Sequence, residues 1–280
     1  MTEHPSRKNA VDPAALPGFL SGDQVSGRQE ASSAMPDGAA SGALPGPLGG
    51  LVDAAAKAAK AVADRALGAS VADVPVEGEP DSSEVQYHGR IWDVVSETFT
   101  MPGQDEPLTR DFIEHTGAVA MLVLDDQGRI LLQRQRRQPV RAQLWEIPAG
   151  LLDVDGESGL AGAKRELFEE ADLEAARWDT LVDFYTTPGS SSEAIRIYLA
   201  RELSEVPEGQ RFTRGEEEAD MPRVWLPVAD AVAAVLSGRI GNPSTVVGIL
   251  ALAAHQSTDF QQLRPADAEW AARPEAGGRL

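Results

Sequence analysis

The sequence contains no cysteine among its 280 residues. This absence excludes structural disulfides, thiolate metal sites and cysteine nucleophiles, and it suits a reducing compartment. No stretch reaches the roughly 18 consecutive apolar residues that a membrane helix needs. Residues 1–10 are polar and include Arg7 and Lys8 with no apolar stretch after them, which is not typical of a secretory signal. We therefore predict a cytoplasmic protein with no membrane partner.

Basic residues are also few. The chain has 25 Lys and Arg against 44 Asp and Glu, which gives a formal net charge of -19. No dense run of Lys or Arg is present, so we predict no nucleic-acid partner. An acidic enzyme can still bind an anionic phosphate compound when divalent cations lie between the two.

Residues 1–82 differ in composition from the rest of the chain. They are rich in Ala, Gly, Ser, Pro and Asp, and Phe19 is their only aromatic residue. Such a segment buries too little apolar surface to offset the entropy of folding, so we predict a mostly disordered extension. An Ala-rich stretch at 48–67 favours a helix, either on the surface of this extension or as a docking helix for a partner or a neighbouring subunit. We predict a folded domain over 83–258 and a C-terminal tail over 259–280.

Apolar and alternating runs after the extension predict strands mixed with helices. Thr116–Leu124 is an apolar, β-branched run suited to a central strand, and Asp125–Gly128 signals a hairpin turn. Strands and helices do not alternate strictly, which predicts an α/β sandwich around a mixed sheet rather than a doubly wound parallel sheet. The predicted strands cover 91–100, 116–124, 129–135, 144–149, 181–186, 194–200 and 223–226, and the predicted helices follow Glu157 and cover 228–236 and 244–254.

An acidic cluster lies on the helix predicted after Glu157. Glu166 and Glu170 are four residues apart and share a face, with Glu169 beside them and Arg165 four residues before Glu169. Like charges at this spacing repel each other, so the cluster does not stabilise an isolated helix. A hard divalent cation would relieve the repulsion, because carboxylate oxygens are its preferred ligands. A solvated surface is the alternative that the helix alone leaves open.

The longer pattern around this cluster is more specific. A glycine, a glutamate seven residues later and the sequence Arg-Glu-Leu-x-Glu-Glu eight residues after that resemble the box of the Nudix hydrolase family. Six residues rather than the usual five follow the glycine, and Asp172 replaces the usual glycine near the helix end. A loop insertion leaves the helix register intact, and Asp tolerates the left-handed backbone that this position often needs. The members of the box are Gly150, Glu157, Arg165, Glu166, Leu167, Glu169, Glu170 and Leu173.

The resemblance covers roughly 85–254 and extends to the ADP-ribose pyrophosphatase branch of the family. The segments at 135–140 and 145–150, and the Thr-Pro-Gly at 187–189 followed by Glu193, are similar to segments of that branch. The resemblance implies a Nudix-type α/β/α sandwich that hydrolyses ADP-ribose to AMP and ribose 5-phosphate. A hydrolase of another nucleoside diphosphate conjugate, such as a nucleotide sugar, and a non-catalytic ADP-ribose sensor on the same fold are the alternatives.

The resemblance also implies a metal site. Glu166 and Glu170 would bind Mg²⁺ directly, and Glu169 would bind it directly or through water. The carbonyl of Ala149 would supply a further oxygen, and Arg165 would orient the carboxylates. Mn²⁺ is a possible substitute for Mg²⁺.

A base and a further acidic residue complete the implied machinery. Glu157 would orient the metal ligands, contact the metal, or cap the helix, where an acid in the first turn is favoured by the helix dipole. The acidic segment at 215–221 resembles the mobile catalytic loop of bacterial ADP-ribose pyrophosphatases. In its Glu-Glu-Ala-Asp-Met run at 217–221, the second glutamate, Glu218, would be the base, with Glu217 as the alternative. A solvated acidic loop is the other interpretation of this segment.

Residues outside the box are candidates for binding the nucleoside diphosphate. Arg137 either pairs with the phosphates or is an ordinary surface cation. Glu193 either accepts a ribose hydroxyl or simply begins a strand, and Arg110 is a further phosphate candidate. By analogy with this branch, residues 85–112 resemble strands that cross to a second subunit, which predicts a homodimer.

Overall fold

The computed structural model describes residues 71–76, 78–213 and 221–271. The helix predicted at 48–67 therefore lies outside the described residues, as do both candidate bases, Glu217 and Glu218. Within the described part of the chain, no helix is long and apolar enough to cross a membrane.

The chain from residue 77 onward folds into one unit of strands and helices. The strands are β1 (Ser82–His88), β2 (Asp93–Phe99), β3 (Leu108–Glu114), β4 (Ala118–Val123), β5 (Arg129–Arg137), β6 (Ala142–Glu146), β7 (Ala149–Leu151), β8 (Leu173–Tyr185), β9 (Ala194–Glu205), β10 (Arg223–Pro227) and β11 (Arg264–Pro265). The helices are α1 (Gly159–Ala171), α2 (Val228–Leu236) and α3 (Pro243–Gln256), with 3₁₀ turns at Gln138–Val140 and Glu208–Gln210.

The strands form three sheets. The largest has the order β11-β8-β9-β4-β7, and its β4–β9 pair is parallel while its other pairs are antiparallel. The second has the order β10-β5-β6 and the third β1-β2-β3, both antiparallel. The predicted mixed sheet is therefore confirmed.

Helices cover both faces of the largest sheet, and they bury its strand β4 on both sides. All of its residues are buried, and successive side chains of a strand point to opposite faces. Ala120 and Leu122 pack in one cluster with residues of α2 and α3. Val119 and Met121 pack in the other with the buried residues of α1. The result is the predicted α/β/α sandwich.

Two strands, β8 and β9, extend at least five residues beyond their predicted bounds. Strand β8 begins at Leu173, directly after α1, although its predicted start is Leu181. Its partner β9 continues to Glu205, past the predicted end at Ala200. The added halves pair with each other, Leu173 opposite Glu205, and they carry charged residues that hide the alternation. Backbone hydrogen bonds between β8 and β9, rather than an alternation of apolar residues, therefore extend both strands past their predicted bounds.

Part of the segment predicted as a C-terminal tail packs on the domain. Arg264 and Pro265 pair with β8, and Trp270 packs against the cluster that contains α1. Arg196, buried in β9, donates from Nη1 to the carbonyl of Ala268 at 2.6 Å and from Nη2 to the carbonyl of Glu269 at 2.9 Å. A two-residue strand has no periodicity to detect, so only the fold reveals this contact.

Candidate active site

Helix α1 carries the acidic cluster, and its two ends are fixed by local residues. The side chain of Ser158 caps the first turn by accepting a hydrogen bond from Ala161 N at 3.2 Å. At the other end, Asp172 has φ 56° and ψ 37°, and its N–H donates to the carbonyls of Leu167 and Phe168. The left-handed backbone expected at Asp172 is therefore confirmed.

The apolar stripe of α1 decides which way the carboxylates face. The helical spacing predicts a stripe of Leu160, Ala163, Leu167 and Ala171. The last three are buried against the sheet, and Leu160 is partly buried there. The side chains of Glu166 and Glu169 lie at the edge of this buried stripe and are 14% and 26% exposed. Both carboxylates are therefore accessible to a ligand, while their partial burial restricts their movement.

Arg165 lies at the centre of the acidic residues. Its Nε and Nη2 donate to the two oxygens of Glu157 at 3.1 and 3.0 Å. Its Nη1 donates to Glu166 Oε1 at 2.7 Å and, more weakly, to Glu169 Oε2 at 3.4 Å. We call these four side chains the Arg165 cluster. The capping role considered for Glu157 is filled by Ser158 instead, and Glu157 pairs with Arg165.

The pairing shifts the pKa values of both partners in the direction that keeps them charged. Hydrogen bonds from Arg165, aided by its positive charge, lower the pKa of the Glu157 carboxyl against the opposing effect of burial. The hydrogen bond to Glu157 and the charge of Glu166 raise the pKa of Arg165 further above its usual range. The ion pair therefore persists throughout the neutral range.

Gly150 is required by the position of Glu166. A Cβ at residue 150 would clash with Cγ, Cδ and Oε1 of the Glu166 side chain. Strand β7 therefore passes directly beside this carboxylate, and only a residue without a side chain leaves the space. The first glycine of the box and its first helical carboxylate are thus in direct contact.

Glu170 is more deeply buried than the other carboxylates of α1, at 6% exposed. Its Oε2 accepts hydrogen bonds from Ala149 N at 3.1 Å and from Gln133 Nε2 at 2.9 Å. Ala149 is predicted only for its carbonyl oxygen, as a metal ligand, and Gln133 is not predicted at all. The available signal is its place in β5, two residues after Leu131, because residues two apart share a face of a strand and Leu131 faces the core.

The donor set suits a hard divalent cation, since it consists of carboxylate oxygens beside a glycine that leaves room at the backbone. In the described ranges, no three acidic or histidine side chains gather closely enough to form a ready-made metal site. Arg165 lies among the carboxylates instead, and Glu170 faces Ala149 and Gln133. The roles of Glu166, Glu169 and Glu170 as metal ligands stay a prediction.

Arg137 lies at the end of β5 and is paired with a buried glutamate. Its Nε and Nη2 donate to Glu146 at 3.0 and 2.7 Å, while Glu146 is 3% exposed and the Arg137 side chain 44% exposed. The guanidinium is therefore held by Glu146, and the Arg137 side chain is partly exposed to solvent. Neither interpretation of Arg137, phosphate ligand or surface cation, foresees the buried partner.

Glu193 is held at the start of β9. Its Oε2 accepts from Thr186 Oγ1 at 2.7 Å, and its Oε1 lies 3.6 Å from His115 Nε2. The backbone N–H of Gly117 donates to His115 Nδ1 at 3.0 Å, so the proton of the neutral imidazole lies on Nε2 and faces Glu193. Arg110 lies elsewhere, in β3 opposite Glu97, where its Nη1 donates to the carbonyl of Thr109.

The end of α1 is tied to the start of β10. Arg223 Nη1 donates to the carbonyl of Ala171 at 2.8 Å, and its Nη2 lies 3.5 Å from Asp172 Oδ2. Pro222 O accepts from Arg134 N at 2.9 Å. The start of β10, which follows the acidic segment at 215–221, is therefore hydrogen-bonded to Ala171, the residue after Glu170.

Comparison with known proteins identifies relatives of this chain. The sequence pattern of the NUDIX domain matches residues 114–244. An ADP-ribose pyrophosphatase of Mycobacterium tuberculosis is 45% identical over 200 residues, which cover 71% of this chain and 93% of that protein. An ADP-ribose pyrophosphatase of Bacillus subtilis is 32% identical over 181 residues, which cover 65% of this chain and 95% of that protein.

A solved structure supports the fold. A crystal structure described as an ADP compounds hydrolase superposes with a TM-score of 0.54 at 18% identity, covering 67% of this chain and 98% of that one. The chain therefore belongs to the Nudix family. Within the family it is a pyrophosphatase-type hydrolase, homologous to ADP-ribose pyrophosphatases.

Proposed function

We propose that this protein hydrolyses the pyrophosphate bond of ADP-ribose in a divalent-metal-dependent reaction that gives AMP and ribose 5-phosphate. The observation that carries the proposal is the Arg165 cluster, in which one guanidinium holds Glu157, Glu166 and Glu169 beside Gly150. The two ADP-ribose pyrophosphatase relatives support ADP-ribose as the substrate.

Glu166, Glu169 and Glu170 would hold Mg²⁺, with the carbonyl of Ala149 as a further oxygen and Mn²⁺ as a substitute. Bound metal would lower the pKa of the attacking water and neutralise charge on the phosphates. Arg165 remains fastened by its double hydrogen bond to Glu157, so the weaker contact with Glu169 can open without loss of the guanidinium's position.

We assign the remaining roles to residues outside this cluster. Glu218 would accept the proton of the attacking water, with Glu217 as the alternative. Arg137 would pair with a phosphate, since its side chain is 44% exposed and Glu146 holds its guanidinium in position. Glu193, oriented by Thr186, would accept a ribose hydroxyl, and Arg110 would be a more distant phosphate contact.

The homodimer and the cytoplasmic location predicted from the sequence remain part of the proposal. Support for the homodimer comes from apolar side chains that stay exposed near β1 and β2. Val85, Tyr87 and Ile91 are 43%, 63% and 57% exposed in the single chain. A second copy would cover such a surface.

The test measures, by chromatography, the AMP released from ADP-ribose in the presence of Mg²⁺. Glu170→Gln is expected to cut kcat by about 10² or more, since a carboxylate needed for metal is lost while shape is kept. Glu174→Gln is the matched control, because Glu174 is exposed in β8. Equal turnover in Glu170→Gln and the control would contradict the site assignment.

A panel of compounds decides between the alternatives. ADP-ribose, nucleotide sugars and other nucleoside diphosphate conjugates are compared by kcat/KM under the same metal concentration. A higher kcat/KM for a nucleotide sugar would replace ADP-ribose as the substrate. Binding of ADP-ribose without hydrolysis of any compound would instead indicate a sensor.

A further inference from the structure

Gln133 is a polar residue in a place that otherwise holds apolar side chains. It lies in β5 and is 2% exposed. Its neighbours alternate between the two cores, with Leu132 in the cluster that contains α2 and α3 and Leu131 in the cluster that contains α1. Because residues two apart on a strand share a face, Gln133 points the same way as Leu131, toward the cluster that contains α1.

The amide of Gln133 is only partly used by hydrogen bonds. Its Nε2 donates to Glu170 Oε2 at 2.9 Å, although the two residues are 37 apart in sequence. Its Oε1 is buried and has no hydrogen-bond partner in the described part of the chain. A buried acceptor left without a partner is unfavourable, so an apolar residue would suit a purely structural role better.

The amide of Gln133 donates a second hydrogen bond to one carboxylate oxygen of Glu170. Ala149 N donates to the same Oε2 at 3.1 Å, and these two bonds come from different strands, β7 and β5. A carboxylate held on one oxygen from two directions cannot rotate freely about its last torsion. The orientation of its other oxygen, Oε1, is then set before any ligand arrives.

We propose that Gln133 is a positioning residue that holds Glu170 in the orientation needed to bind a divalent cation. This inference rests on the proposed function, in which Glu170 is a metal ligand. Groups that hydrogen-bond to metal ligands commonly tune metal affinity by orienting the ligand. Gln133 acts in this way through Glu170 and touches neither substrate nor metal.

The test compares metal binding by three full-length proteins without nucleotide. Wild type, Gln133→Met and Leu131→Met are titrated with MnCl₂ by isothermal calorimetry. Methionine keeps the length of glutamine but removes its donor. Leu131→Met is the matched control, because Leu131 is 3% exposed, lies on the same face of β5 and receives the same new residue. We expect the Mn²⁺ dissociation constant to rise by about 10-fold or more in Gln133→Met, and to stay at the wild-type value in the control.

A second measurement separates positioning from a general packing defect. The Mg²⁺ concentration for half-maximal ADP-ribose hydrolysis should rise in Gln133→Met, and kcat at saturating Mg²⁺ should return toward wild type. KM for ADP-ribose should stay unchanged. A packing defect would lower activity at every Mg²⁺ concentration.

The outcomes distinguish this inference from the proposed function. Equal Mn²⁺ affinity in folded Gln133→Met and wild type would overturn the role of Gln133 and leave the proposed function intact. A wild type that neither binds Mn²⁺ nor releases AMP would overturn both. Circular dichroism checks the fold, and Gln133→Leu replaces Gln133→Met if that variant is unfolded. Loss of fold in both variants would assign Gln133 to stability and overturn its role in metal binding.

Discussion

Arg165 and Glu157 form a double hydrogen bond across the first two turns of the helix that carries the Nudix glutamates. Glu157 precedes the cap residue Ser158, so the pair joins the incoming loop to the helix. The third nitrogen of the guanidinium, Nη1, remains for Glu166 and Glu169. Arg165 therefore sets the position of the carboxylates relative to the loop.

Replacing Arg165 with lysine should separate charge from geometry. Lysine keeps the positive charge but cannot form the planar double bond to Glu157 while also reaching Glu166. We expect kcat for ADP-ribose hydrolysis to fall by about 10-fold or more, with a smaller change in KM. Arg177→Lys, at a half-exposed position in β8, is the matched control. Wild-type kcat in Arg165→Lys would show that charge alone is sufficient.

Adding one methyl group at Gly150 should displace Glu166. The new Cβ would clash with the end of a flexible side chain, so the carboxylate can move while the fold is kept. We expect Gly150→Ala to retain its circular dichroism spectrum and to lose about 10² or more in kcat, because a small misplacement of a reacting group is costly. Gly209→Ala, where a Cβ would meet nothing within 4 Å, should behave as wild type. Full activity in Gly150→Ala would refute the contact.

The contribution of Glu157 to stability should depend on pH. Hydrogen bonds from Arg165 lower its pKa in the folded state below the usual value of 4.5. A lowered folded-state pKa gives stability that is fully present above the unfolded-state pKa and is lost as pH falls through the folded-state value. The difference in unfolding free energy between wild type and Glu157→Gln should thus be largest near pH 7 and shrink below about pH 4.5. Urea denaturation over this range measures it, and a constant difference would contradict the pairing.

Two arginines that contact Asp183 should differ in their effect on stability. Arg196 is 3% exposed, binds both oxygens of Asp183 and holds the carbonyls of Ala268 and Glu269. Arg264 contacts the same aspartate but is 44% exposed. We expect Arg196→Met to cost about 3 kcal/mol of unfolding free energy, because Asp183 loses its buried, doubly bonded partner and two backbone carbonyls lose their donor. Arg264→Met should cost less than about 1 kcal/mol. Equal losses in urea denaturation would show that burial of Arg196 does not matter.

The sequence predicts local features of the site well. The 3.6-residue period places Leu160, Ala163, Leu167 and Ala171 on one stripe, and the structure buries the last three and leaves Leu160 partly buried. It also predicts the left-handed backbone of Asp172, since the residue types at a helix end reflect local backbone geometry. The roles of the carboxylates in metal binding stay a prediction, as does the role of Glu218.

Contacts between distant segments were not predictable in the same way. The place of Gln133 in β5 predicts that it faces the core but not that it bonds to Glu170, and Glu146 is not foreseen as the partner of Arg137. Both contacts depend on the register of β5 against β6 and on how α1 lies across the sheet. A shift of one residue in that register would turn every side chain of β5 to the opposite face.

The amino-acid sequence by itself therefore determined the family, the helix that bears the glutamates and the spacing of those glutamates, because a helix fixes the relative positions of residues three and four apart. Only the tertiary structure decided which groups surround each carboxylate. It set Gly150 against Glu166, Gln133 against Glu170 and Arg196 against the C-terminal segment. Packing of separate elements creates these contacts, and no local pattern encodes where two such elements meet.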